Sequence, residues 1–280
     1  MQEATFHELA DLALKQTGQA IPVSKAYLVE ARLAHILRRE GFATPDDLVA
    51  CLNARPNPVF EAEIVAALQT RTTWFFRDRE RLNQLVSDVL PERVRDSKAG
   101  RIRIWCAGVS TGQEAYSLAM LLKEADIPAL KGARIDITAT DICRKALDQA
   151  RGGLYGHFEV QTGLSVHRLL ANFERLETGH WQVSEELRER IGFRQHNLVD
   201  PQARLGQFDI ILCRNVVSNM DASRRGAVCE GLADQLQPGG IVLLGEKETL
   251  SAERNCALEP SRLMGGAFSA VDKARRTQAA

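Results

Sequence analysis

The feature that most constrains the fold is an alternation of strand-like and helix-like segments that begins after Gly100. Apolar runs of strand length alternate with segments of helical spacing, an order typical of a parallel sheet covered by helices on both faces. We therefore predict an α/β fold with an open, doubly wound, mostly parallel sheet, whose ligand lies beyond the carboxyl ends of the strands. The predicted strands are 101–107, 133–141, 191–197, 208–215 and 239–246, and the predicted helices are 112–124, 142–151 and 222–237.

The segment before Gly100 differs, because its apolar residues recur at helical spacing. Ser24 is placed to cap a helix that ends near residue 41. Thr44 followed by Pro45 favours the start of another helix. A charged, glycine-ended stretch that follows is typical of a linker. The predicted organisation is a small all-helical domain at 1–90, a linker at 91–100 and a larger domain at 101–280.

The stretch from 152 to 200 is longer than a single helical crossover requires. It contains the segment HWQVSEELRERIGFRQ, parts of which have strand character. We predict that this stretch includes a small inserted subdomain with short antiparallel strands.

Charge and cysteine usage limit the classes of function. The chain has 36 Lys and Arg against 36 Asp and Glu, so no net charge favours nucleic acid or an acidic membrane. We expect no membrane insertion, because no apolar run reaches about 18 residues, and the charged N-terminus is unlike a signal peptide. The cysteines are scattered without metal-ligand spacing, which predicts a reducing cytoplasm and no metal. They are Cys51, Cys106, Cys143, Cys213, Cys229 and Cys256.

The turn after the first predicted strand has the sequence AGVSTG, with glycines at Gly108 and Gly112. It lacks the GxGxxG spacing and the lysine of phosphate-binding loops, but the glycines still permit a tight turn and close backbone approach. Asp141 ends the second strand, where a carboxylate can accept from ribose hydroxyls. A nucleoside with a carboxylate tail and no phosphate fits both features, as S-adenosylmethionine does. The alternatives are an ordinary packing turn and a carboxylate that only caps the next helix.

Several longer segments occur together in the order and spacing of one family. They are RTTWFFRDRERL at 71–82, CAGVSTGQEAYSLAM at 106–120, TDICRKALDQARGGLY at 140–155 and FDIILCRNVVSNMD at 208–221. Over about residues 15–250 the chain resembles the chemotaxis receptor glutamate O-methyltransferases of the CheR type. The resemblance implies a class I methyltransferase fold, S-adenosylmethionine as cofactor, a cytoplasmic location and the cytoplasmic helices of chemoreceptors as methyl-accepting partners.

The resemblance also implies a set of cofactor-binding residues, with Arg77 in addition orienting the acceptor carboxylate. Some of these residues have simpler alternatives. Arg77 is alternatively part of a solvated charge cluster, Glu114 is an acid in the first turn of a helix, and Asn197 is a residue that closes a turn. We expect Phe75 and Phe76 to pack in the hydrophobic core rather than to stack against the cofactor. The implied residues are Thr73, Arg77, Gly108, Gly112, Glu114, Asp141, Asn197, Leu198, Arg214 and Asn215.

This chemistry needs few protein groups. A glutamate side chain has a pKa of about 4.3 in model peptides, so it is already an anion near pH 7. Transfer of a methyl group from a sulfonium to that anion needs no general base, so the protein supplies alignment and a shaped pocket. Residues 71–103 hold nine Lys and Arg against five Asp and Glu. This local excess of positive charge favours contact with an acidic receptor helix, and it is equally typical of a solvated linker.

Two departures from the family pattern bear on the acceptor. Arg71 stands where the family usually has Asn, and Ser218, Asn219 and Met220 stand where an aromatic pair is common. A cofactor-binding signalling module without methyl transfer is therefore one alternative, and a methyltransferase for a small molecule is another. A base methyltransferase is disfavoured, because Arg214 and Asn215 occupy the place of the polar-Pro-Pro-aromatic motif and no broad basic face is present.

Overall fold

The computed structural model describes residues 1–69, 72–97, 100–200, 202–250 and 257–271. The chain divides into two compact units. One comprises Met1–Thr70 with Asn219–Arg225, and the other comprises Arg71–Ser218 with Gly226–Ala280. Both the boundary near residue 70 and the assignment of Asn219–Arg225 differ from the predicted division at residue 90.

The first unit is helical and buries one apolar core, in which Leu33, Ile36 and Leu48 are fully buried. Thr44 caps its third helix with a reciprocal pair of hydrogen bonds to Asp47, as the sequence predicts. Ser24 instead lies inside a short 3₁₀ turn, so it does not cap the second helix. The helices are α1 (Glu3–Thr17), α2 (Ala26–Glu40), α3 (Pro45–Ala54) and α4 (Pro58–Leu68).

The second unit begins with a helical segment that replaces most of the predicted linker. Helix α5 (Arg79–Gln84) continues through a π-helical turn, Leu85–Val89, into α6 (Leu90–Asp96). Leu82 and Leu90 are fully buried in the core that also contains the sheet residues. The apolar spacing of this segment therefore serves the sheet domain, which explains why the division falls earlier than predicted.

The remaining elements of the second unit alternate as the sequence predicts, with additional short pieces. The helices are α7 (Gln113–Glu124), α8 (Arg144–Gly152), α9 (His157–Gln161), α10 (Val166–Asn172), α11 (Glu185–Glu189) and α12 (Ala222–Ala233), whose first residues belong to the first unit. The strands are β1 (Arg101–Ala107), β2 (Arg134–Asp141), β3 (Leu154–Tyr155), β4 (Phe173–Arg175), β5 (Trp181–Val183), β6 (Ile191–Gln195), β7 (Phe208–Cys213), β8 (Leu236–Leu244), β9 (Leu258–Pro260) and β10 (Ala267–Ala270).

The main sheet has the strand order β6-β2-β1-β7-β8-β10-β9. Strands β6, β2, β1, β7 and β8 are parallel, and β10 runs antiparallel to both of its neighbours. This confirms the predicted doubly wound, mostly parallel class. The pairing of Cys106 with Leu212 brings the carboxyl ends of β1 and β7 side by side. Strands β9 and β10 were not predicted, because they are short and separated by a glycine-containing loop.

The inserted subdomain is a three-stranded antiparallel sheet in the order β3-β5-β4. It is narrower than the predicted stretch, because β6 pairs in parallel with β2 of the main sheet. Phe75 packs edge-on against Tyr155 and Phe173 of this subdomain, at ring-centroid distances of 5.0 and 5.5 Å. The insertion thus supports the segment that precedes α5.

Candidate functional site

The glycine turn after β1 comes close to its neighbours because it lacks side chains. Gly108 and Gly112 have φ values of 74° and 94°, which disfavour other residues. A Cβ atom on Gly108 would lie 2.6 Å from Val216 Cγ2, and one on Gly112 would lie 2.8 Å from Ala150 Cβ. The backbone N–H of Gly108 donates to the Thr140 carbonyl at 2.8 Å, which ties the turn to β2. The two glycines therefore let the turn pack directly against Val216 and Ala150.

Asp141, at the end of β2, completes that tie. One carboxylate oxygen accepts from the backbone N–H of Ser110 at 2.8 Å. The other accepts from the backbone N–H of Cys143, the N-cap residue of α8, at 2.8 Å. Asp141 therefore precedes the N-cap of α8 and makes a local turn contact with it, whereas α8 has no side-chain cap hydrogen bond. An ionised carboxylate has about four acceptor positions, so these contacts are compatible with a ribose role.

Arg214, just after β7, is the centre of a buried ion cluster. Its side chain is 1% exposed and pairs with Glu114 at 2.9 Å and with Asp78 at 3.0 Å. The guanidinium also donates to the backbone carbonyl of Arg77. Burial raises the pKa of Glu114, and the positive charge of Arg214 opposes that rise. Glu114 is therefore a partner of Arg214 and more than a first-turn helix acid.

The segment Phe75–Asp78 is held in an unusual conformation next to this cluster. Phe76 and Asp78 have φ values of 54° and 49°, and the Phe76 N–H donates to the Ser117 hydroxyl at 2.8 Å. Phe75 and Phe76 are buried in the core, as predicted. The guanidinium of Arg168, on α10, stacks 4.0 Å from the centre of the Phe76 ring.

Arg77 is partly buried and stays close to its own segment. Its guanidinium lies 4.3 Å from the centre of the Trp74 ring, and Nη1 donates to the Thr72 carbonyl at 2.9 Å. Burial lowers the pKa of Arg77. Thr73, next to Trp74, is also partly buried. The alternative that Arg77 belongs to a solvated charge cluster does not describe its half-buried side chain, whereas its neighbours Arg79 and Glu80 are exposed.

Non-glycine residues with positive φ coincide with the sequence motifs. Among the described residues, four have this conformation: Phe76, Asp78, Ser110 and Asn215. They lie in the segment before α5, the glycine turn and the segment after β7. Such backbone conformations cost of order 1–3 kcal/mol each, and they concentrate at binding and catalytic sites.

Asn197 and Leu198 follow β6 at the same edge of the sheet. His196 donates its backbone N–H to the Asp141 carbonyl at 3.1 Å, which places this pair one residue beyond a contact with β2. The side-chain oxygen of Asn197 accepts from the Val199 N–H at 3.2 Å, so the turn alternative holds for it. Leu198 lines a small cleft together with Trp105 and His196.

Two residues that the sequence analysis did not identify, Glu248 and Arg81, form hydrogen bonds with the end of β8 and the residue that follows it. Glu248 is 9% exposed and accepts backbone N–H groups from Asn215 at 2.5 Å, Ser218 at 2.8 Å and Gly245 at 2.9 Å. Arg81 donates to the carbonyls of Leu244 and Gly245 at 3.0 and 3.1 Å. The sequence signal that could have identified Glu248 is an acidic residue three positions after Gly245, the glycine that follows the last parallel strand.

The divergent segment after β7 divides between the two units. Ser218 belongs to the sheet unit, where it donates to Glu248. Asn219 and Met220 belong to the helical unit: Met220 forms a β-bridge with Gln19, and the Asn219 carbonyl accepts from the Ala20 N–H at 3.2 Å. Arg71, the other departure from the family pattern, lies outside the described residues.

The donor set of this edge fits S-adenosylmethionine. The glycine turn packs closely against Val216 and Ala150, and Asp141 lies beside it and accepts from the Ser110 N–H. Arg214 Nε is a buried donor with no hydrogen-bond partner in the described part of the chain, and such a donor suits a carboxylate tail. Within the described ranges, no group of three or more His, Cys, Asp or Glu side chains is arranged to hold a metal ion. Nor does any helix of those ranges have the length and apolar character needed to span a membrane.

Comparison with known proteins identifies the family of the chain. The family described as "CheR methyltransferase, SAM binding domain" matches residues 71–262. The chemotaxis protein methyltransferase Cher2 of Pseudomonas putida is 34% identical over 88% of this chain and 90% of its own length. Chemotaxis protein methyltransferase 1 of Pseudomonas aeruginosa is 35% identical over 87% of this chain and 90% of its own, and the chemotaxis protein methyltransferase of Vibrio parahaemolyticus is 33% identical over 90% and 91%. The chain belongs to the CheR methyltransferase family.

Proposed function

We propose that this protein methylates glutamate side chains on the cytoplasmic helices of chemoreceptors, and that it does so in the cytoplasm. Family membership makes the chain an S-adenosylmethionine-dependent methyltransferase of chemotaxis, and supports an enzyme over the signalling module considered above. The identity of the acceptor is the part proposed here.

The similarity to chemotaxis protein methyltransferases supports a receptor as the acceptor, and the convergence of three motifs on one edge of the sheet supports that edge as the site of transfer. The strained segment at Phe76, the glycine turn and the segment after β7 each place a positive-φ residue there. Arg214 joins two of them, because it contacts Asp78 of the first segment and Glu114 of the helix after the turn. The edge is therefore built from parts far apart in the chain, as a preorganised site requires.

Each residue of this edge has a proposed role in holding the cofactor. Gly108 and Gly112 admit the methionine portion against bare backbone, and Asp141 binds the ribose. Arg214 faces the carboxylate tail through Nε, while Glu114 balances its charge. When bound, S-adenosylmethionine supplies an electrophilic methyl group on a positive sulfonium.

Arg77 is proposed to orient the acceptor. Its contacts with the Trp74 ring and the Thr72 carbonyl fix the side chain within its own segment. A guanidinium offers five donors in a fixed fork, so these contacts leave it able to meet an incoming carboxylate. An acceptor glutamate arrives already ionised at neutral pH, so no proton needs to be removed from it.

The test is transfer of radiolabelled methyl groups from S-adenosylmethionine to membranes that carry the organism's own chemoreceptors. We expect label on the receptor that is released by mild base, as a carboxyl methyl ester is. A receptor with its methylatable glutamates changed to alanine is the control, and it should take up no label. Label that resists base, or that appears on another class of molecule while the receptors stay unlabelled, would overturn the proposed acceptor.

A further inference from the structure

We propose that Glu248 is a positioning residue for cofactor binding, because its carboxylate fixes the segment after β7 that carries Asn215. This inference rests on the proposed function, with Asn215 as one of the cofactor-binding residues that the family resemblance implies. Glu248 lies three residues beyond the glycine that follows β8, and it is buried to 9% exposure. Its contacts join the exits of two neighbouring strands, β7 and β8.

The geometry of the carboxylate is specific for backbone donors. Oε2 accepts from the N–H groups of Asn215 at 2.5 Å and Gly245 at 2.9 Å, while Oε1 accepts from Ser218 at 2.8 Å. A buried backbone N–H beyond the end of a strand has no ladder partner and needs another acceptor. The Glu248 side chain supplies an acceptor to the buried Gly245 N–H, to the half-buried Asn215 N–H and to the N–H of the exposed residue Ser218, and it uses both of its oxygens to do so.

Asn215 has a φ of 60°, in the left-handed region that asparagine adopts more readily than most other non-glycine residues. Gly245 makes room for it, because a Cβ there would lie 2.5 Å from Asn215 Nδ2 and 3.0 Å from Glu248 Oε2. Glu248 and Gly245 together therefore hold Asn215 in one conformation.

The exit of β8 has a second and separate attachment. Arg81 donates to the carbonyls of Leu244 and Gly245, and Asp78 accepts from the Glu246 N–H at 3.2 Å. Loss of the Glu248 carboxylate therefore leaves this exit attached and releases mainly the segment that contains Asn215 and Ser218. The predicted defect is local to the cofactor edge.

The experiment compares Glu248→Gln with Glu246→Gln in the full chain. The first substitution puts an amide donor where the carboxylate has an acceptor, whereas the Glu246 side chain is exposed in the same loop. S-adenosylmethionine affinity is measured by calorimetry and Tm by thermal unfolding. We expect Glu248→Gln to raise Kd about tenfold, the effect of losing one strong hydrogen bond, and Glu246→Gln to leave Kd unchanged.

A double-mutant cycle separates positioning from general stabilisation. If Glu248 acts through Asn215, the variant with Glu248→Gln and Asn215→Ala binds no more weakly than the weaker single variant. Losses of affinity that multiply would show independent roles and overturn the proposal. So would a Glu248→Gln variant that binds as tightly as Glu246→Gln.

Glu248→Asp covers the case in which Glu248→Gln does not fold. The shorter side chain keeps the carboxylate but reaches fewer of the three N–H groups, so we expect cooperative unfolding with an intermediate Kd. Loss of cooperative unfolding in this variant too would make Glu248 a folding residue and overturn the proposal. All these measurements use the cofactor alone. Failure of methyl transfer to receptors, with normal binding, would therefore refute only the proposed acceptor.

Discussion

The two halves of the sheet edge that carries the site are held together by different means. On the β1–β2 side, the contacts are backbone hydrogen bonds and one carboxylate, such as Asp141 with the Ser110 N–H, 31 positions apart in the chain. On the β7–β8 side, charged side chains that are buried or half-buried make the contacts, across longer separations in the chain. Arg214 and Glu114 are 100 positions apart, and Arg81 and Leu244 are 163 apart.

This difference sets what each half tolerates. Backbone contacts survive most side-chain substitutions, so the β1–β2 side depends chiefly on its glycines and on Asp141. A buried ion cluster has large opposing energies, and removal of one member leaves an uncompensated charge that costs several kcal/mol. We therefore expect the largest effects on the β7–β8 side.

Arg214→Ala should have the largest effect on folding stability. It removes the guanidinium between Asp78 and Glu114 and leaves two partly buried carboxylates, 15% and 13% exposed, without their cation. We expect the free energy of unfolding to fall by about 3–5 kcal/mol, measured by urea titration. Arg79→Ala is the matched control, because Arg79 is an exposed arginine next to Asp78, and we expect it to change the free energy of unfolding by less than about 0.5 kcal/mol. Equal effects would show that the cluster is not what holds this half.

Asp141→Ala should mainly reduce cofactor affinity, with a smaller loss of stability. The Ser110 and Cys143 N–H groups lose their acceptor, at a cost of about 1–3 kcal/mol in the free energy of unfolding. The proposed ribose contact is lost as well, so we expect the Kd for S-adenosylmethionine to rise more than tenfold by calorimetry. Asp148→Ala, in the exposed Asp148–Arg151 pair of α8, is the control. An unchanged Kd for Asp141→Ala would remove Asp141 from the site and leave it only its structural role.

The same contrast explains what the sequence could predict. Strand β1 was predicted with its observed bounds, and Asp141 was expected at the end of β2, because periodicity and local motifs specify both. The partners of Arg214 could not be derived, since Asp78, Glu114 and Arg214 meet only after three distant segments fold together. Glu248 was missed for the same reason: its contact with Asn215 spans 33 positions and depends on the pairing of β7 with β8. Assignment of cofactor roles to these residues stays a prediction.

Gly108→Ala tests how the two halves fit against each other. The new Cβ would lie 2.6 Å from Val216 Cγ2, a residue of the β7 side, and φ is unfavourable for alanine. We expect the free energy of unfolding to fall by about 2 kcal/mol. Adding Val216→Ala should recover roughly half of that loss, because the clash disappears and only the backbone strain of about 1 kcal/mol remains. If the changes in the free energy of unfolding caused by Gly108→Ala and Val216→Ala simply add, the two halves are not in close contact at this point.

The smallest expected effect is a pH dependence confined to the β1–β2 side. His196 lies next to the Asp141 carbonyl, and burial lowers its pKa below that of an unfolded histidine. As pH falls below about 6.5, the unfolded state takes up this proton first, so folded stability decreases. His196→Gln removes that contribution, and we expect the drop in Tm between pH 7.5 and 5.5 to be smaller by about 2 °C than in the unsubstituted protein. Residues 214–218 and 244–250 contain no histidine, so the β7–β8 side adds nothing to this difference. An identical dependence of Tm on pH in the two proteins would show that the buried His196 imidazole adds no pH-dependent stability to the β1–β2 side.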